Sequence, residues 1–245
     1  MQPNEMTAVP AMPAMERFTI GLALSRSGRI WLQNLPLFLG VALLAHVPEF
    51  LLSCLWIDQP PTRFSQRAEA LPTSLLGYVV TGLVTYSVLE QLRGRRTSAR
   101  KSLSIGMEKF GPLLGTAIVT SLLIGFLLLL LVVPGVIASI RWMLVSPIVV
   151  AENVENPRVR SSVLTAGHRG ELFGLQAVIY VGLMFVVALF GFALPEQGSV
   201  LGNAIALLPS ALFLSFRSVV EGVTYFLLRS EKEGVDLERL TAVFE

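Results

Sequence analysis

Cysteine and histidine are nearly absent from this chain, and charge is scarce. The single Cys54 excludes an internal disulfide and a cysteine metal cluster. Two histidines, His46 and His168, are too few for a histidine metal site, so no metal or other cofactor is expected. Only 15% of the 245 residues are charged and 53% are hydrophobic, where an ordinary soluble domain carries roughly 25% charge. At a mean hydropathy of +0.67, so much apolar surface needs lipid to cover it, and little chain is left over for a soluble domain. No Ser, His and Asp arrangement is readable, which leaves nucleophilic catalysis without support. Lys and Arg are also missing from residues 1–16, MQPNEMTAVPAMPAME, as is any continuous apolar stretch, so a cleavable signal peptide is not expected there. Pro3, Pro10 and Pro13 predict a disordered tail over that segment.

What is present is a series of six long apolar runs: Leu37–Ile57, Ser74–Leu92, Pro112–Val133, Val136–Ala151, Leu172–Leu194 and Ala204–Leu228. The first, at ~1.5 Å rise per residue, is about 31 Å long and spans a bilayer. The fourth is short and interrupted by Arg141 and Pro147, with Pro134 and Gly135 breaking the helix before it. The predicted fold is therefore an all-α polytopic bundle of about six transmembrane helices over residues 17–230, with a tail at 231–245. Five spans, or a half-inserted hairpin at 134–151, is the alternative.

Charge is one-sided along this pattern. Basic residues flank one set of span ends, including Arg17, Arg26, Arg29, Arg93, Arg95, Arg96, Arg100, Lys101, Lys109, Arg158, Arg160, Arg169 and Arg229, while the opposite loops carry only Arg63 and Arg67. The positive-inside rule then places both termini and the basic loops in the cytoplasm.

Three polar stretches, before spans one, three and five, share a design. In SARKSLSIGMEKFGPLLG, Leu103, Met107 and Phe110 fall at helical spacing, as do Val159, Val163 and Ala166 in PRVRSSVLTAGHRGELFG. Each reads as an amphipathic helix at the interface, followed by an equivalent junction: Pro36–Gly40, Gly111–Gly115 and Gly170–Gly174. A unit of interfacial helix plus helical hairpin, used three times, is expected.

The ordered string VVPGVIASIRWMLVSPIVVAENVENPRVRSSVLTAG, with the tail TYFLLRSEKEGVDLERL, resembles the membrane domain of bacterial glycerophosphoryl diester phosphodiesterases and its stand-alone relatives. Pro134, Gly135, Arg141, Trp142, Glu152, Ser161 or Ser162, and Tyr225 to Leu240 carry the likeness. It implies a membrane module of the bacterial inner membrane without the family's catalytic barrel, hence no hydrolase. His168-Arg169-Gly170 spells the tripeptide that opens that barrel, but here it precedes a span and lacks the barrel's strands.

Charges inside spans are the candidate site, since each costs about 2.5–3.5 kcal/mol at the bilayer centre. They are Glu49, Arg141, Arg217 and Glu221, with His46 one turn before Glu49. Arg217 and Glu221 stand at i and i+4 and can pair within their helix. Glu49 and Arg141, each roughly 9–12 Å deep by helical rise, are expected to form an interhelical ion pair. Pro48, Pro147 and Pro209 are expected to kink their spans. The cluster Arg93, Arg95, Arg96, Arg100 and Lys101 suits anionic lipid headgroups. It lacks the aromatic interleaving of a nucleic-acid site, so nucleic acid is not an expected partner. Two functions follow: a non-catalytic module engaging lipid headgroups or a partner membrane protein at its basic face, or a small transporter using the buried charges.

Overall fold

In lipid, every backbone N–H and C=O must find its partner within the spanning segment, so each apolar run folds as helix. The computed structural model describes residues 17–55, 62–92, 99–193 and 199–233. Among these residues the fold is all-helical, with six helical segments long and apolar enough to cross a membrane. The protein is a polytopic membrane helical protein.

The helices follow the three-unit plan. Short α1 (Ile20–Gln33) precedes the hairpin of α2 (Leu35–Leu55) and α3 (Arg63–Leu92). Short α4 (Ala99–Glu108) precedes α5 (Phe110–Leu130) and a fourth span made of α6 (Val132–Arg141) and α7 (Val145–Ala151). Short α8 (Pro157–Thr165) precedes α9 (Arg169–Ala193) and a sixth span made of α10 (Val200–Ala206) and α11 (Leu208–Glu233). Pro36, Gly111 and Gly170 each occupy the second position of the long helix that opens their hairpin. There the missing N–H of a proline, or the small side of a glycine, disturbs no intrahelical bond. The last helix runs past residue 230 to Glu233, and residues 234–245 lie outside the described residues.

In the first two units the first long helix is peripheral and the second is packed inside, and in the third the inner half of α11 is packed inside. Only 17% of the α5 and α9 span windows is buried, against 50% for α3 and 56% for α6–α7; α11 is buried continuously from Ser218 to Leu228. The outward faces of α5 and α9 present Leu122, Phe126, Leu129, Val181, Met184 and Phe185, side chains suited to acyl chains. Because lipid is as apolar as leucine, close backbone approach and interhelical hydrogen bonds hold such helices together. A Cβ on Gly222 of α11 would meet Thr85 Cα of α3 at 3.3 Å, and a Cβ on Gly82 of α3 would meet Leu113 of α5 and Val150 of α7 within 3 Å. Thr81 and Thr85 face α11 in this seam, with a 3.0 Å hydrogen bond between the Thr81 and Ser218 hydroxyls.

Two expectations about breaks are corrected. The turn between α5 and α6 falls at Leu131, and Pro134 and Gly135 lie inside the first turn of α6. The break within the fourth span comes later, between Arg141 and Val145. Of the three span prolines only Pro48 is internal to its helix; Pro147 and Pro209 sit in the first turns of α7 and α11, where their missing donor has no intrahelical acceptor to lose. Gly135 has a different task. A Cβ there would lie 2.8 Å from the Leu128 Cα, a backbone contact that cannot rotate away. Gly135→Ala should therefore destabilise the α5–α6 hairpin by about 1–3 kcal/mol. Denaturant titration in detergent would measure this, with Gly125→Ala, whose Cβ meets nothing within 4 Å, as the neutral control.

The short helices pack as well as flank. On α4 and α8 the apolar Met107, Val159 and Val163 stay exposed, as interfacial helices require, while Ser161, Leu164 and Thr165 turn inward. For α1 the contacts are more extensive. Ala23, Ser27 and Ile30 are buried, the Phe18 amide donates to Glu231 at one end, and the Trp31 indole N–H donates to Ser215 Oγ at 2.9 Å near the other. Helix α1 thus lies along α11 as a member of the bundle.

Candidate functional site

Polar side chains from five helices converge on one cavity of about 410 Å³ inside the bundle. Helix α2 supplies His46 and Glu49, α3 supplies Thr73 and Tyr78, and α5 and α7 supply Ser121 and Ser146. Helix α11 supplies Ser210, Arg217 and Glu221, with Phe213 and Leu214 completing the wall. Four of the five residues singled out from the sequence therefore share a site.

The α2 side is organised by α3. Thr73 Oγ1 donates to Glu49 Oε2 at 2.7 Å, with the Ala45 carbonyl as a more distant alternative at 3.4 Å. His46 is 3% exposed, and its Nδ1 lies 2.8 Å from the Ala42 carbonyl of its own helix. A carbonyl oxygen can only accept, so Nδ1 carries a proton, and Nε2 is the ring nitrogen turned toward Glu49. That Nε2 stands 3.9 Å from Glu49 Oε2, too far for a direct hydrogen bond.

The α11 side holds the pair expected from the i, i+4 spacing. Arg217 Nε donates to Glu221 Oε1 at 2.7 Å. Glu221 is 7% exposed, whereas the Arg217 side chain is 39% exposed although it lies in the middle of a span. Between the two sides, Tyr78 of α3 and Ser121 of α5 line the same cavity.

Arg141 is the fifth candidate, and it does not join them. Its side chain is exposed at the break between α6 and α7, and no ion pair links it to Glu49 among the described residues. The expected Glu49–Arg141 pair assumed an uninterrupted fourth span. With the helix broken, the part of Arg141 that is engaged is its carbonyl, which accepts from Ser161 Oγ at 2.7 Å. Ser161 Oγ in turn accepts from the Leu144 amide at 3.3 Å, replacing backbone bonds that the break removes.

A second polar cluster was not anticipated. At the junction of α7, α8 and α11, the Glu152 carboxylate accepts from Arg160 Nε at 2.7 Å and Nη2 at 3.2 Å and from the Tyr225 hydroxyl at 2.9 Å. Arg229 Nη1 donates to the Tyr225 oxygen at 2.6 Å and lies 3.6 Å from Glu152. Glu233 pairs with both arginines. The hydrogen bond that Arg160 donates to Glu152, with Glu233 beside it, raises the proton affinity of Arg160 above its ordinary range. Lys232 donates to the Val163 and Ala166 carbonyls at the end of α8. Glu152, Ser161, Tyr225 and Glu233 are among the residues that carried the family resemblance, and here they hold segments together. His168 does likewise at the start of α9, contacting Glu171, Glu231 and the Phe18 ring.

Of the basic lipid-contact candidates, Arg93, Arg95 and Arg96 and the side chain of Arg100 lie outside the described residues, and Lys101 is exposed on α4. Compared with family models, curated proteins and solved structures, the chain matches none.

The polar cavity residues that sequence reasoning missed are hydroxyls: Thr73, Ser74, Tyr78, Thr81, Ser121, Ser146 and Ser210. Membrane serines and threonines usually bond backbone, and these seven come from four different helices, so no spacing in the sequence joins them.

Proposed function

We propose that this protein is a membrane-embedded binding and permeation unit for a small polar solute, with the cavity between α2, α3 and α11 as its site. The observation that carries this reading is the convergence of Glu49, His46, Arg217 and Glu221 on a space of about 410 Å³, within the range of small-molecule sites. A bundle selected only for packing gains nothing by placing three ionisable side chains and seven hydroxyls around such a space, because each intramembrane charge costs about 2.5–3.5 kcal/mol. Spans four and six are broken helices and both contribute lining residues, which is the architecture through which membrane proteins line polar sites.

Thiol accessibility tests the reading. With Cys54 replaced by alanine, Ser210→Cys and Ser146→Cys should both react with a membrane-impermeant thiol reagent in vesicles, and the side from which each reacts identifies the open end. Ala42→Cys, at a fully buried position outside the cavity, should stay unmodified. Unreactive cysteines at both cavity positions in folded protein would mean a dry interior and end the proposal.

The basic rim at Arg93, Arg95, Arg96, Arg100 and Lys101 keeps its reading as a contact for anionic lipid headgroups. Exposed Lys101 and Met107 on one short helix support it. Under the positive-inside rule this rim faces the cytoplasm. The resemblance to phosphodiesterase membrane domains fits the same picture, since the residues behind it build a scaffold.

A further inference from the structure

Resting on the cavity reading, we propose that the ligand is a small zwitterion: its ammonium sits between Glu49 and His46, and its oxyanion sits on Arg217. On the α2 side of the cavity, Glu49 Oε2 and His46 Nε2 face each other across 3.9 Å, and with the ring proton on Nδ1 alone, as this proposal takes it, both are acceptors. The nearest hydroxyl proton, that of Thr73, is already committed to Glu49 at 2.7 Å. A primary ammonium has three N–H donors and a positive charge, and one such group satisfies both acceptors at once.

The α11 side is the complement. Glu221 engages only the Nε of Arg217, leaving the terminal fork of a guanidinium whose geometry matches carboxylate or phosphate. Charge then discriminates among ligands. Two carboxylates against one guanidinium refuse a simple anion, while a simple amine leaves the Arg217 fork empty. A molecule carrying both groups fills both ends. Such a zwitterion can reach the cavity as a free solute or as the headgroup of a membrane lipid, and the chemistry of recognition is the same.

The test uses the full chain with Cys54→Ala and Ser210→Cys, and reads the rate of thiol modification at the cavity wall. The soluble probes are phosphoethanolamine and β-alanine, which join an ammonium to different oxyanions; ethanolamine and inorganic phosphate are the half-ligands, and lysophosphatidylethanolamine is the lipid probe. A zwitterionic probe at ten times its Kd should slow modification about tenfold, as simple occupancy requires, with less than about twofold from either half-ligand. Glu49→Gln and Arg217→Lys should each abolish protection, read as the ratio of rates with and without probe in the same variant, the lysine keeping the charge in the span and losing the fork. Protection by a soluble zwitterion assigns a solute, and protection by the lysolipid alone assigns a headgroup; both uphold the proposal. Equal protection by ethanolamine or phosphate overturns it. So does a reactive Ser210→Cys that no probe protects, which leaves the accessible cavity standing. An unreactive Ser210→Cys and Ser146→Cys defeat the cavity reading itself. In a His168→Asn background, where His46 is the only imidazole, nitrogen NMR should find the ligand-free ring protonated at Nδ1 alone. A ring protonated at both nitrogens would fill the ammonium seat and also overturn the assignment.

Discussion

Replacing Glu152 with alanine should destabilise the protein by about 3–5 kcal/mol, the cost of removing one partner from a buried ionic cluster. Glu152 is 8% exposed and is the hub of the junction: both of its oxygens accept from Arg160, and one also accepts from Tyr225. Without it, two guanidinium groups that are 24% and 16% exposed share only Glu233 as a counter-ion among the described residues. The fully buried Tyr225 hydroxyl still accepts from Arg229 but loses the acceptor for its own proton. Besides this cluster, Lys232 on the Val163 and Ala166 carbonyls ties α11 to α8, and Ser161 ties α8 to the break before α7, so the loss is partial. Denaturant titration in mixed micelles would measure the loss. Glu171→Ala is the comparison: that carboxylate is 48% exposed beside His168, and its removal should stay within about 0.5 kcal/mol. Equal midpoints for the two variants would show that the junction does not hold α7, α8 and α11 together.

A second large effect is expected at Glu221. Glu221→Ala leaves Arg217 without its counter-ion in the middle of a span, at a cost of about 2.5–3.5 kcal/mol. Both residues belong to α11, so their bond joins no two helices. The double variant Arg217→Leu/Glu221→Leu should therefore recover most of that stability, since an ion pair in apolar surroundings is readily replaced by apolar side chains. Unfolding midpoints of the single and double variants decide the point. If the double variant is as unstable as the single, the pair contributes to packing in its own right. If it recovers while zwitterion protection is lost, the two charges serve the cavity and not the fold.

Much of the architecture is legible from local features. The six apolar runs appear as six spanning segments, and the shared junctions at Pro36, Gly111 and Gly170 open the three hairpins at equivalent positions. The Arg217–Glu221 bond is a consequence of i, i+4 spacing within one helix. Reading became less secure where a residue's role depends on its position within a turn. Pro147 and Pro209 look like kinks inside apolar runs, yet they initiate helices because the chain breaks just before them, at Trp142–Leu144 and at Leu207. The same break turned Arg141 from an expected partner of Glu49 into a residue whose backbone oxygen is held by Ser161.

The candidate site was half legible. Its charges stand out because ionised groups are costly in lipid, and that cost is a property of each residue alone. Thr73 and Ser146 carry no such signal; their place in the cavity depends on which faces of α3 and α7 turn inward. Glu152, Arg160 and Tyr225 read separately as ordinary polar residues near span ends, and their cluster exists only because α8 and α11 meet there.

By itself, the sequence determined membrane residence, helical class and the three-unit order, because these depend on the length of each apolar run against the thickness of a bilayer and on the requirement that backbone groups pair locally. Tertiary structure alone decided which polar groups meet. In lipid that outcome is set by helix rotation and register, through close approaches such as Gly222 on Thr85 and Gly82 on Leu113. Hydrophobicity is nearly uniform around helices such as α5, and so cannot specify which face turns toward the cavity.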